Sequence, residues 1–528
     1  MGAPNSFRAF SEVDLFANIS QINADIAAAN MVVIVLFVLL TAAVSLVSVF
    51  IVGRYHSLKN EETVSVGRMK PLYVFFIILA VGIAVRLLLT FVIKGYGPTY
   101  DTAYGIANGV IDNDGFAGYT TEYMSVSPLA GYIYALFGGW GISAGLGVED
   151  TGMQFFVKLP FLLADVALAC VIYALAKKYF NRYVALALTV LYFLNPLFFV
   201  MSSVWGSEIT LLALALVVTF AFVLSKNMFG MCLAASISCL VSPYAVFVVP
   251  VVGFYVVYAT VKSVINIVKA KPSFDSVMKD PAYYNVFYAP LCAVLGFAVM
   301  YLVSLPAYFA DGAVGFADVM NQLFVAPFTV DSNAINFFGE NALGIYTVVT
   351  NNYETLGPNF RSLVFAIVFV VISAVFATVF YLIKRNRANL VLMASFLSFT
   401  AGGYMGGSNE WSLMPSLALM LPAFLPTKVK RILKVFAVTG VFVVLNALLA
   451  LYGGGMLSGD YIADANATNM TTIGALNVFS ILLSVLTVLV HMYYTVVVLD
   501  VTVAKNRKVF ITDRTSGFGE CMRYWVRG

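Results

Sequence analysis

Long apolar runs separated by short polar interruptions dominate the chain, and their length is that of membrane-spanning helices. A span needs about 20 consecutive apolar residues, and by that criterion there are about thirteen candidates. They fall at 31–53, 72–94, 156–178, 183–204, 207–225, 228–242, 243–262, 287–308, 362–384, 389–407, 412–426, 432–454 and 473–500. Pro243 and Pro415 blur the ends of two short ones, 228–242 and 412–426. The pattern predicts an all-α polytopic membrane protein with about 11–13 transmembrane helices. Two large loops on one side, 95–155 and 309–361, are expected to bear short helices. The stretch VSPLAGYIYALFGGWG within the first loop reads as a half-inserted helix or a true span, and the charge pattern prefers the former.

Composition excludes a soluble globular chain. Of 528 residues, 61% are hydrophobic and only 11% charged, with mean hydropathy +0.92. The net charge of +4 gains meaning from its distribution and does not point to nucleic acid. Basic residues group in alternate loops: Arg54 to Lys70, Lys177 to Arg182, Lys262 to Lys279, Lys384 to Arg387, and Lys428 to Lys434. The loops 95–155, 309–361 and 455–472 are acidic or neutral. The excess of Lys and Arg marks the cytoplasmic side, which makes the N-terminus extracytoplasmic and the C-terminus cytoplasmic. The host membrane is then a bacterial plasma membrane or a eukaryotic endoplasmic reticulum. The basic tail, with Tyr524 and Trp525, reads as an inner-surface lipid anchor. None of the five cysteines lies in a large outer loop, so no disulfide framework is implied. Three regions follow: 1–71 with the first anchor and a cytoplasmic loop, a core at 72–426, and 427–528 with the last helices and the tail.

The polar outliers converge on the expected outer face. The stretch 101–128 is the first long polar interruption and carries Asp101, Asp112, Asp114 and Glu122. Lys158 stands at the outer start of a span, as a snorkelling end-anchor or as a cation for an anionic headgroup. Trp205 and Glu208 occupy the mouth of a tight helical hairpin. The loop 309–361 contains Asn333 and Asn336 among interleaved aromatics, and its composition argues for an ordered lid or binding loop. Glu410 and Trp411 lie at a third outer junction. Within the spans, Arg86 and Asp165 are expected to pair, because a charge in hydrocarbon is costly unless partnered. The two histidines, His56 and His491, leave the outer face without a zinc site or a histidine-based triad. No phosphate-cradling glycine loop ending in Lys-Ser/Thr is present. Carboxylates, amides and a few cations remain to carry any chemistry.

These residues, in this order, resemble the C-type integral-membrane glycosyltransferases over roughly 72–426. In that family the long first outer loop opens with an Asp followed by aromatics, similar to Asp101 in YDTAYGIANGV. Ser127-Pro128-Leu129 resembles a Pro-Pro-Leu element with one proline missing. KLPFLLADVALACVIYALAKK is similar to the family's basic-Pro-Asp helix. NPLFFVMSSVWGSE resembles an Asn-Pro-Ser-Trp-Gly-Gln stretch, with Ser207 in place of Gln and the acid shifted to Glu208. DSNAINFF, through Ser332, Asn333, Ala334, Asn336 and Phe337, resembles a Ser-x-Asn-Ala-x-Asn-aromatic element. GGSNEWSLMP keeps the Glu, at Glu410, of a His-Glu-Arg-Tyr element without its His and Arg.

The resemblance implies transfer of a hexose, mannose-like or glucose-like, from a polyprenyl-phosphate donor to an acceptor hydroxyl on a glycan, lipid or protein. Asp101 would be the general base and Lys158 the cation beside the departing phosphate. Trp205, Asn333 and Asn336 would touch sugar or phosphate, with Glu208 and Glu410 as further contacts. One base implies inversion at the anomeric carbon; retention would want a second carboxylate, for which Asp112 or Asp114 stand nearest in sequence. No cofactor is called for, the lipid-linked sugar being a substrate, and nothing in the sequence requires a divalent metal. Two other readings stand beside it. A transporter or lipid flippase would use Arg86, Asp165 and His491 as an intramembrane relay, and a non-catalytic relative of the glycosyltransferases would have lost its site.

Overall fold

The computed structural model describes residues 12–55, 71–93, 95, 97–112, 126–148, 150–308, 315–324, 339–340, 343–344, 360–404, 408–409, 411–453 and 473–503. They form an all-α membrane protein. In chain order the helices are α1 (Glu12–Tyr55), α2 (Pro71–Val92), α3 (Gly97–Asp112), α4 (Pro128–Ser143), α5 (Thr151–Tyr179), α6 (Arg182–Phe193) and α7 (Pro196–Trp205). There follow α8 (Ile209–Ser225), α9 (Met228–Val241), α10 (Val249–Ala270), α11 (Phe274–Lys279), α12 (Pro281–Tyr308) and α13 (Phe316–Phe324). The last five are α14 (Phe360–Ile383), α15 (Arg387–Tyr404), α16 (Met414–Thr427), α17 (Lys430–Gly453) and α18 (Ile473–Val503). Among the described residues the only strand pairing is a two-residue parallel contact, β1 (Gly339–Glu340) against β2 (Ser408–Asn409).

Seven described helices are long and apolar enough to cross a membrane, eight if the bent pair α6–α7 counts as one span, and four further apolar helices are shorter. The bend is 43° and has a local cause. A residue preceding proline is pushed out of the helical region, and Asn195 before Pro196 is extended at φ −82°, ψ 127°. Its side chain caps the new helix by accepting from the Leu197 N–H and donates to Ser45 Oγ on α1 at 3.1 Å. The break at Ser242-Pro243 is similar: α9 ends there and a short 3-10 turn, Pro243–Phe247, leads into α10.

Two helices lie wholly in the interior. Every residue of α15 from Ala388 to Tyr404 is buried, as is α16 from Met414 to Leu425. A helix apolar all round belongs inside a bundle, and α15 and α16 pack on each other, with α8 and α17 against α16 and α18 against α15. The long helices α1, α2, α10, α12, α14 and α18 form the periphery and present aliphatic side chains outward, such as Leu36, Leu88, Val257, Leu302 and Ile372. Such a belt of exposed hydrocarbon suits lipid as solvent. Glu12–Tyr55 is one unbroken helix, of which Met31–Tyr55 is apolar enough to span.

Side-chain contacts define the two ends of the bundle. At one end, Asn181 Nδ2 donates to the Tyr55 carbonyl at 2.8 Å, Lys430 to the Gly53 carbonyl at 3.0 Å and Lys384 to the Val501 carbonyl at 2.7 Å, while Arg431 pairs with Asp500 at 2.7 Å. This basic end gathers the cationic junctions read from the sequence. The opposite, acidic end carries α3, α4 and the hairpin between α7 and α8.

Candidate functional site

A buried ion pair beneath the acidic end fixes the helices that carry its polar groups. Arg86 on α2 and Asp165 on α5 have fully buried side chains, with Nη2 to Oδ2 at 2.6 Å and Nε to Oδ2 at 2.8 Å. Asp165 also accepts from Ser202 Oγ at 2.8 Å and from the Tyr192 hydroxyl. Arg86 Nη1 donates to the carbonyls of Phe193 at 2.8 Å and Gly82 at 3.2 Å, and the guanidinium lies 3.9 Å from the Phe193 ring centroid. The pairing expected from the sequence is thus present, and its reach is wider: it ties α2, α5, α6 and α7 at one point. The fit is close, since a Cβ on Gly82 would meet the Phe193 ring at 2.2 Å.

Through Ser202 this network grips the last six residues of α7, Val200–Trp205, which are wound as a π-helix. The π-turn ends at Gly206, whose φ of +79° is left-handed. There a side chain would be strained, and a Cβ would come within 3.2 Å of Lys158 Cγ. Gly206→Ala is expected to cost about 1–2 kcal/mol, read as a lowered Tm in detergent with the wild-type helical content retained.

Lys158 is not the snorkelling end-anchor that the sequence offered as one reading. It neither snorkels nor stands free at the surface. It is fully buried, and its ammonium donates to the carbonyls of Ile93 at 3.1 Å and Thr90 at 3.4 Å. These groups terminate α2, where unpaired carbonyls favour a cation. The ammonium also lies 5.6 Å from the Tyr100 ring centroid. The physical reason is the position of the residue on α5: its helix packs against α2 there, so the stem has nowhere to run outward. Tyr100 in turn donates to the Val204 and Trp205 carbonyls at 3.3 and 3.4 Å, and burial raises its phenol well above the ordinary tyrosine value. It stays a neutral donor at any physiological pH.

Asp101, the next residue along α3, faces the other way and is exposed. Tyr100, Ala103, Ile106 and Ala107 supply the buried face of α3, which packs on α4. Helical spacing therefore holds the carboxylate outward from a rigid platform. Asp112 is also exposed, accepting from Asn108 Nδ2 at 2.6 Å.

Glu208 sits half-buried at the start of α8 and accepts from the Tyr134 hydroxyl at 3.0 Å. Tyr134 on α4 is buried and packs edge-on against Phe161. Trp205 is also buried and meets Trp411 edge-on with centroids 5.2 Å apart. Asn333, Asn336, Glu410, Asp114 and Glu122 fall outside the described residues. The backbone pairing of Gly339–Glu340 with Ser408–Asn409 brings these two residues of the second loop beside the Trp411 junction.

A groove of about 280 Å³ opens between α9, α10 and α12, with Phe324 of α13 also lining it. Cys239, Val252, Val256, Phe297 and Met300 are among its almost wholly apolar walls. Helix α4 links groove and polar cluster. Tyr132 donates to the Val303 carbonyl on α12 at 2.7 Å, and burial pushes its phenol up to about 12; two residues on, Tyr134 reaches Glu208. The sequence resemblance extends through this YIY, in VSPLAGYIYAL, to a Pro-Pro-Leu…Tyr stretch, but it assigned neither tyrosine a role. Among the described residues no group of three His, Cys, Asp or Glu side chains could hold a metal ion. Compared with known proteins, the chain matches no family model and no curated protein.

Proposed function

We propose that the protein transfers a hexose from a polyprenyl-phosphate donor to an acceptor hydroxyl at its acidic end. The observation that carries this reading is that α4 packs both on α3, which bears the exposed Asp101 carboxylate, and on α9 and α12, which line an apolar groove. A lipid-linked sugar requires both: hydrocarbon for its tail and a base where hydrocarbon gives way to water. The order of motifs resembling the C-type glycosyltransferases supports it from the side of sequence.

In this mechanism Asp101 takes the proton of the acceptor hydroxyl as its oxygen attacks the anomeric carbon. The bond from that carbon to the phosphate oxygen breaks, and polyprenyl phosphate leaves with the electron pair. Phosphate is a good leaving group, so no general acid is needed. Lys158, held by the carbonyls of α2, contributes positive potential from beneath and no direct contact. Glu208 and Tyr134 orient sugar hydroxyls, and the Trp205–Trp411 pair braces the floor. By the distribution of Lys and Arg the acidic end is extracytoplasmic and the C-terminus cytoplasmic.

The flippase reading draws less from the geometry. Arg86 and Asp165 are paired with each other and held by further internal partners, and His491 lies in a different packing group. It stacks on Phe396 and Phe399 and meets Thr400 Oγ1 at 3.0 Å and the Tyr404 hydroxyl at 3.2 Å. The test is reconstitution into vesicles with labelled polyprenyl-phosphate hexoses and a panel of glycan, lipid and peptide acceptors. Release of free polyprenyl phosphate with label on an acceptor is the expected result. Intact donor moved between leaflets without release would replace this reading with transport.

A further inference from the structure

At the basic end, α10 presents Tyr255, Tyr258 and Lys262 at i, i+3 and i+7, one stripe of a helix. Tyr381, near the end of α14, sets its ring edge-on to Tyr258 with centroids 5.8 Å apart and to Phe254 at 5.4 Å. The corner between α14 and α15 adds two guanidinium groups. Arg387 Nε donates to the Tyr255 hydroxyl at 3.0 Å, and Arg385 lies 5.8 Å from the centroid of Tyr258.

The basic side chains around these arginines already have partners. Lys384 beside them is spent on the Val501 carbonyl and Arg431 on Asp500. Among the described residues neither Arg385 nor Arg387 has a carboxylate within ion-pair distance. Arg385 is exposed and Arg387 half-buried, so both are oriented by aromatic neighbours while their terminal nitrogens stay open to a ligand. The flanking surface is aliphatic and exposed, with Val257 and Val261 on α10 and Val379 and Leu382 on α14.

We propose that this notch binds the phosphate of an anionic phospholipid, with its acyl chains on the aliphatic flanks. Guanidinium groups match phosphate oxygens in a forked geometry, and phenols at a membrane boundary supply further donors. The aliphatic flanks favour a lipid over a soluble phosphate. The site lies at the end opposite Asp101 and is independent of the transferase reading.

Native mass spectrometry of the full chain in detergent tests it, with phosphatidylglycerol, phosphatidylcholine and glycerol 3-phosphate as probes. Saturable binding of phosphatidylglycerol is expected, with neither of the others competing. Neutralising one guanidinium, in R385Q or in R387Q, should weaken it about fivefold, whereas K269Q/K271Q, which removes cations farther along α10, leaves it unchanged. Arg385 is on the surface, so its variant does not put folding at risk. The proposal is overturned if R385Q and R387Q bind as wild type does, if K269Q/K271Q weakens binding as much, or if glycerol 3-phosphate competes at equal concentration.

Discussion

Replacing Asp165 by alanine is expected to lower stability by about 3–5 kcal/mol, the cost of leaving a buried charge without its partner. The carboxylate is the shared acceptor for Arg86, Ser202 and Tyr192, so its loss strands a guanidinium and two hydroxyls in a region without water. A large fall in Tm and a loss of monodisperse protein in detergent would report it. The double replacement R86L/D165L should recover much of that loss, because apolar side chains of similar volume remove the stranded charge as well. An unchanged Tm in Asp165→Ala would mean that water or another group compensates, and the pair would no longer be the tie between α2, α5, α6 and α7.

Asp101→Asn should lower the rate of sugar transfer by about 10²–10⁴-fold, the usual contribution of a positioned general base, and leave Tm where it was. The separation of the two effects follows from exposure: the side chain points away from the face of α3 that packs on α4, so no packing is lost. Asp101→Glu keeps a base on a longer stem and should retain part of the rate. Comparable turnover in Asp101→Asn and wild type would move proton transfer to another group, with Glu208 the first to test.

The architecture was legible because membrane helices must satisfy every backbone group internally, and hydrocarbon length then marks them. The weakest segments on that measure, 228–242 and 412–426, became α9 and α16. Of these, α16 is buried from Met414 to Leu425. The kink at Asn195-Pro196 and the break at Ser242-Pro243 followed from proline chemistry. The Arg86–Asp165 pair was legible from cost alone, since both charges occur in apolar runs. The position of Lys158 was not, because apolar periodicity does not say which neighbour a cation will meet; the structure aims it at the end of α2 instead of at the surface. Tyr132 and Tyr134 escaped for a related reason. An aromatic in an apolar helix looks like packing until its hydroxyl is placed against a carbonyl of α12 or against Glu208.

On the transferase proposal the donor's hydrocarbon lies in the groove between α9, α10 and α12 while its sugar reaches α3. Photo-crosslinking with a polyprenyl-phosphate hexose carrying one diazirine on the sugar and, in a second probe, one near the first isoprene unit tests this directly. The expected adducts are on the peptide containing Asp101 for the sugar probe and on peptides of α9 or α12 for the chain probe. Adducts at the end where Lys384, Lys430 and Arg431 cluster, or sugar adducts confined to the helices around His491, would contradict it.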